Sequence, residues 1–190
     1  MKTIVLAGGP SNGKTTVINH IKENGLDIGF DKVICISEIA ERILNRNPLI
    51  RQNQWEFQTT IYYCQLEVEN TYHSLLQETN TLLIIDRGLA DLAVYLSDKA
   101  TMFMDKNKTS LTEIFARYDA VYLLETVHSS QYKKTNIRTE SSSKAEMLNN
   151  STIKIWSQHP RCYFIKTTKQ SKDKVIETIK MIKETSKDWA

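Results

Sequence analysis

Cysteine is scarce in this 190-residue chain. Cys35, Cys64 and Cys162 are odd in number, far apart and without a C-x-x-C pair. That pattern fits reduced core residues of a cytoplasmic protein better than a disulfide framework or a thiolate zinc site. Long apolar runs are missing as well. No stretch approaches the ~20 residues a membrane-spanning helix needs, so no membrane partner is expected. Met1-Lys2 followed by apolar residues has the look of a secretory leader, but the run ends after a handful of positions, so that reading fails. There is no internal repeat and no Pro/Gly-rich linker. The histidines, His20, His73, His128 and His159, show no metal-ligand spacing.

What is present fits one globular domain over residues 1–190. Hydrophobic content of 41% and charged content of 25% can build a sizeable single core. The net charge of +3 is unevenly spread: 13 Lys/Arg against 6 Asp/Glu from Lys133 onward, and 12 against 16 before it. A basic C-terminal third suits phosphate-rich ligands, or is simply the solvated face of a terminal helix carrying Lys172, Lys174, Lys180 and Lys183. Without interleaved aromatics it does not read as a nucleic-acid surface.

The most informative stretch is Gly8-Gly9-Pro10-Ser11-Asn12-Gly13-Lys14-Thr15-Thr16. It follows the apolar run Thr3 to Ala7 and precedes the helical pattern of Val17, Ile18 and Ile21. Gly8-x4-Gly13-Lys14-Thr15 is a phosphate-binding loop in the strand–loop–helix context that the motif requires. Glycines let main-chain N–H groups curl into a nest around an anion, and the helix head adds its positive dipole end. Lys14 supplies a point charge for the β- and γ-phosphates, and Thr15 a hydroxyl ligand for Mg²⁺. The expected ligand is a nucleoside triphosphate.

Apolar runs at Thr3 to Ala7, Lys32 to Ile36, Leu82 to Ile85, Ala120 to Leu124 and Arg161 to Ile165 read as buried parallel strands. Helical patterns separate them, the longest over about Gln52 to Glu78 with Phe57, Ile61, Cys64, Val68, Tyr72 and Leu75 as its stripe. The C-terminal helix carries Val175, Ile179 and Ile182. The alternation predicts a doubly wound α/β sheet whose ligands bind at the carboxyl ends of the strands. Asp98 to Thr109 and His128 to Ser143 look irregular. The second, a lid candidate at about 128–143, precedes a helical pattern containing Met147, Ile153 and Trp156.

Strand ends then become site candidates. Asp86, closing LLIIDRG, is placed to hold Mg²⁺ opposite Thr15, or to cap the helix that follows. Arg87 can grip an acceptor or a phosphate with its planar fork. Glu38, after the second strand, can take a proton from an acceptor hydroxyl, bind a sugar, or sit as a dipole-stabilised carboxylate at a helix head. Arg42 is expected to pair with Glu38 four residues back, or else to serve a ligand. Gln58 and Gln65 can read a base edge, or are solvated. Arg138, in the lid candidate beside Thr139 and Glu140, can close over the γ-phosphate and stabilise transition-state charge.

GGPSNGKTT, SEIAERIL, FQTTIYYCQ, LLIIDRGLAD, ARYDAVYLL and NIRTE occur in order along nearly the whole chain. With them the sequence resembles the AAA-type ATPase/kinase family that includes NadR-like ribosylnicotinamide kinase domains. The resemblance implies a P-loop NTPase fold: a five-stranded parallel sheet in the order 2-3-1-4-5, helices on both faces and a lid. It also implies ATP and Mg²⁺ as cofactors, the triphosphate loop at Gly8 to Thr16, and catalytic roles for Lys14, Asp86, Arg87, Glu38 and Arg138. No adenylyltransferase segment precedes the loop, so bifunctional activity of that kind is not expected. The function implied is transfer of the γ-phosphate to a hydroxyl of a small, nucleoside-like acceptor. The rival is a nucleotide-regulated switch module with little phosphotransfer, in which an N-K-x-D guanine signature is missing.

Overall fold

Thr3-Ile4-Val5-Leu6-Ala7 shows no polar alternation because both faces of the strand it forms are covered. Ile4 through Ala7 are each 0% exposed, which is possible only at the middle of a sheet sandwiched between helices. The computed structural model describes residues 1–10, 12–125, 142–166 and 171–189. Strands β1 (Lys2–Ala7), β2 (Lys32–Ile36), β3 (Thr81–Asp86), β4 (Ala120–Leu124) and β5 (Cys162–Ile165) form one sheet in the order β2-β3-β1-β4-β5. Every pairing is parallel. The central strands are buried except for Lys2 at the start of β1, whereas the edge strands β2 and β5 are partly open. Both the strand set and its order match the expectation from the sequence.

Successive side chains of a strand point to opposite faces, and the two cores follow that rule. Ile4, Leu6, Leu82, Ile84, Tyr122 and Leu124 pack under α1 (Lys14–Asn24) and α8 (Ser171–Thr185). Val5, Ala7, Leu83, Ile85, Val121 and Leu123 pack against the other helical layer. That layer comprises α2 (Ile39–Arg46), α3 (Gln54–Leu76), α4 (Asp91–Leu96), α5 (Ala100–Lys106), α6 (Leu111–Phe115) and α7 (Ser142–Trp156). Each fully buried aliphatic side chain contributes about 1.5–3 kcal/mol, so this two-sided burial is the main force holding the strand ends in place. Among the described residues no helix is long and apolar enough to cross a membrane.

Three expectations need correction. Asp98 to Thr109 is largely helical: a 3₁₀ turn over Ser97–Lys99 leads into α5. Phe103, 1% exposed, packs edge-on against Trp55 and Tyr62, and this tertiary contact outweighs the weak local periodicity. The deepest line of α3 is Gln58, Tyr62, Gln65 and Glu69 rather than the apolar stripe one step round the helix. Ile61, Val68 and Tyr72 flank that line half-buried, while Cys64 and Leu75 are exposed. Cys64 is therefore a surface thiol and not a core residue. Lys172, Lys180 and Lys183 are solvated as expected, but Lys174 is buried.

Candidate active site

The phosphate-loop sequence leaves β1 at Ala7 and enters α1 at Lys14, with Gly13 as the helix N-cap in the left-handed region at φ 93°. Gly8 has φ 139°, and a Cβ there would run into Asn12 Nδ2 and lie 2.5 Å from Leu124 O. Only glycine fits that close passage between β1 and β4. Asn12 is buried beneath the loop, donating from Nδ2 to Leu124 O at 3.0 Å. The loop's carbonyls are turned toward cations. Lys14 Nζ donates to Gly8 O at 2.9 Å, Gly9 O at 3.2 Å and Asn12 Oδ1 at 2.9 Å. From the far side, Lys174 Nζ donates to Asn12 O at 3.3 Å and to Glu125 O, at the end of β4, at 2.6 Å. Pro10 is buried, Thr15 and Thr16 are exposed at the head of α1, and Ser11 lies outside the described residues.

β3 runs beside β1 with Asp86 level with Leu6, and the ladder continues one residue further, Arg87 N–H donating to Leu6 O at 3.1 Å. Asp86 therefore ends its strand beside the loop. It is 3% exposed and its Oδ1 has no hydrogen-bond partner. It caps nothing: α4 begins only at Asp91, and its N-cap Ala90 makes no side-chain cap bond. Burial pushes the Asp86 carboxyl up to about 6, with the Lys14 ammonium pulling the other way. Burial, then the Arg87 guanidinium, bring Lys14 down to about 8 against the pull of Asp86, Glu38 and Asp91. An unpartnered buried carboxylate oxygen at the end of β3, with Thr15 at the head of α1 after the neighbouring strand, offers oxygen ligands of the kind a hard cation such as Mg²⁺ seeks. Among the described residues there is no cluster of three or more His, Cys, Asp or Glu side chains that could hold a metal alone. A site completed by phosphate oxygens meets that restriction.

Arg87 has φ 68°, unusual for a residue with a side chain and costing about 1–2 kcal/mol. The chain turns sharply here, and a Cβ on Gly88 would lie 2.5 Å from Trp156 Cη2. The turn aims the Arg87 fork back over the loop. Nε donates to Glu38 Oε1 at 3.0 Å, and Nη1 to Gly8 O at 3.3 Å and Asp91 Oδ1 at 3.4 Å. The guanidinium carbon sits 5.7 Å from the centre of the Tyr95 ring. Burial opposes the charge on Arg87, but Tyr95 and the Glu38, Asp91 and Asp86 carboxylates outweigh it and hold the group above its ordinary value.

Glu38 occupies the N-cap position of α2 without a side-chain cap bond, and it joins Arg87 from across the crevice. Arg42, expected as its partner, is exposed on α2. Gln65 is buried and spends its amide on Arg87 O and Glu69 Oε1, at 2.7 and 2.9 Å, so it is neither solvated nor turned to a base. Gln58 is 8% exposed on the same helical face. His159 is a satisfied core histidine, its Nε2 3.1 Å from Tyr118 O. Arg138 and residues 128–141 of the lid candidate lie outside the described residues, and Ser142–Ser143 open α7.

The structure thus brings Lys14, Asp86, Arg87 and Glu38 together at the carboxyl ends of β1, β3 and β2. Sequence reasoning missed Asp91, Tyr95 and Lys174. Asp91 was within reach, lying four residues beyond Arg87 where a helical turn brings the two charges together. Tyr95 and Lys174 carry no such signal, because their roles arise from the packing of α4 and α8.

A parallel five-stranded sheet with a phosphate loop after β1 and an acid–arginine pair after β3 defines a P-loop protein of the kinase and ATPase type. The chain belongs to the AAA-domain family, whose model matches residues 3–173. Members of such families generally use ATP and Mg²⁺. Among solved structures the chain is similar to the thymidylate kinase of Candida albicans, with a TM-score of 0.69 and 15% identity over 98% of this chain and 92% of that one. At that identity the likeness bears on the fold. No curated protein sequence matches the chain.

Proposed function

We propose that the protein is an ATP- and Mg²⁺-dependent kinase that transfers the γ-phosphoryl group to a hydroxyl of a nucleoside-like small molecule. The observation that carries this reading is the orphaned, buried Asp86 Oδ1 beside Lys14, with Arg87 and Glu38 spanning the adjoining crevice. A regulatory switch needs the loop and the metal ligand. It has no use for an arginine–glutamate pair set on the acceptor side of them.

In this reading the amides from Gly8 to Thr16 and the head of α1 hold the polyphosphate. Lys14 exchanges its contacts with Gly8 O, Gly9 O and Asn12 Oδ1 for phosphate oxygens, which it meets as a charged donor already confined to the loop. Thr15 and Asp86 would hold the Mg²⁺ ion, which supplies charge neutralisation across the β- and γ-phosphates. Arg87 bridges the two half-sites: its Nη1 reaches the loop at Gly8 O while its Nε orients Glu38. Glu38 accepts the proton of the acceptor hydroxyl as the oxygen attacks phosphorus. The new O–P bond forms, the bond from phosphorus to the β,γ-bridging oxygen breaks, and ADP leaves. Because the transferring group is loosely bonded at the transition state, most of the rate comes from this positioning and electrostatic support rather than from the strength of the base.

A panel of nucleosides, sugars and vitamins incubated with the protein, ATP and magnesium and read by mass spectrometry tests the assignment. The expected result is one acceptor class gaining a single phosphoryl group. Slow ADP formation indifferent to every acceptor would support the switch module instead.

A further inference from the structure

Beneath the turn that follows β3 lies a buried polar cluster belonging to neither half-site. Glu69, on α3, is 0% exposed and accepts from Gln65 Nε2 at 2.9 Å, Arg117 Nε at 3.0 Å and Tyr118 OH at 3.1 Å. Two of those donors also touch the turn. Gln65 Nε2 donates to Arg87 O at 2.7 Å, and the Tyr118 hydroxyl oxygen accepts from Leu89 N–H at 2.8 Å. The Asp91 carboxylate completes the grip, accepting from Gly88 N–H at 3.1 Å.

The directions of these bonds are linked. A phenol has one proton, and with Leu89 N–H aimed at its oxygen that proton goes to Glu69. A primary amide has two N–H groups, and Gln65 sends its nitrogen to both Glu69 and the Arg87 carbonyl. Glu69 meets donors on both oxygens, an arrangement suited to the ionised carboxylate even though burial raises its carboxyl above the ordinary range. If Glu69 could not accept, the Tyr118 hydroxyl would lose its fixed direction and the Gln65 amide could reverse, setting oxygen against the Arg87 carbonyl. A residue held at φ 68° against its own preference depends on such outside restraint.

We propose that Glu69, Gln65 and Tyr118 are positioning residues. Through the backbone of Arg87 and Leu89 they fix the left-handed turn that delivers the Arg87 guanidinium to Glu38 and Gly8 O. The proposal rests on the kinase reading, in which Arg87 links donor and acceptor. It reaches further, to residues that touch neither substrate. Of the three, Gln65 and Glu69 lie on the face of α3 that a purely structural helix would make apolar.

Tyr118→Phe in the full-length protein removes one hydroxyl and little volume. Two readouts apply: hydrogen exchange at the Leu89 amide, and the steady-state constants for phosphoryl transfer. Exchange at Leu89 should quicken about tenfold or more, and kcat should fall about tenfold with the KM for ATP unchanged, because the loop itself is intact. Gln65→Met, acting at Arg87 O, should give the same split. The two together should lose less than the product of the single losses, since both act through one turn. Unchanged exchange at Leu89 overturns the proposal. So does quickened exchange with kcat unaltered, or a rise in the KM for ATP that accounts for the whole loss. If the wild-type protein phosphorylates no acceptor, the kinase reading fails on its own terms and takes the positioning role with it. The exchange measurement, independent of turnover, then still shows whether the cluster holds the turn.

Discussion

Residue by residue, chemistry at this site follows from what each side chain is denied or granted by its surroundings. Asp86 lacks a partner for one oxygen and is pushed toward its neutral form by burial, so it gains most from a cation. Lys14 is denied solvent, and burial and then Arg87 bring it down to about 8 while the nearby carboxylates pull the other way. The three thiols divide on the same principle. Burial pushes Cys162 up to about 11 and raises Cys35 as well, whereas Cys64 lies on the surface of α3. Since the thiolate is the reactive form, limited iodoacetamide treatment at neutral pH should alkylate Cys64 at least tenfold faster than Cys162, read by peptide mass spectrometry. Equal rates would contradict the packing described around β5. Motif residues were legible in the sequence because a phosphate loop depends on local backbone geometry and a short, nearly contiguous set of side chains. Tyr95 and Lys174 were not: Tyr95 meets Arg87 only through the way α4 packs after the turn, and Lys174 meets Asn12 from the far end of the chain.

At the scale of elements, α3 is the instructive case. Its length and helical state follow from the three- and four-residue recurrence of Phe57, Ile61, Cys64 and Val68, but its buried line does not. Hydropathy locates the cheapest face to bury, and here the helix instead faces a turn full of main-chain polar groups. Polar side chains able to satisfy that turn occupy the deepest positions. Glu69→Ala should therefore destabilise the protein more than any loss on the apolar flank. We expect about 3 kcal/mol, toward the low end of the range for breaking a buried pair because the Arg117 side chain is 25% exposed. Leu75→Ser, on the exposed flank, should change stability by no more than about 0.5 kcal/mol. Urea unfolding of both variants checks the contrast, and equal effects would mean that the apolar stripe carries the packing after all. α5 was missed for the complementary reason: one aromatic, Phe103, anchors a segment whose remaining residues show little periodicity.

For the molecule as a whole, strand content was readable, since fully covered parallel strands must be unbroken apolar runs, whereas the strand order was implied only by the resemblance to P-loop kinases. The function of that order is to bring the ends of β2, β3 and β1 side by side, so that Glu38, Asp86, Arg87 and the glycine loop, spread over 80 residues of sequence, share one crevice. Lys174 adds the opposite edge, tying α8 and the end of β4 to the loop. Capture of a polyphosphate by the loop is the claim on which the rest depends. It is tested most directly by calorimetric titration of ATP with magnesium into the wild-type protein and Lys14→Ala. Saturable binding by the wild type and an affinity at least a hundredfold weaker in the variant, about 2.7 kcal/mol, is the expected result. The same affinity in both proteins, or none in either, would contradict it.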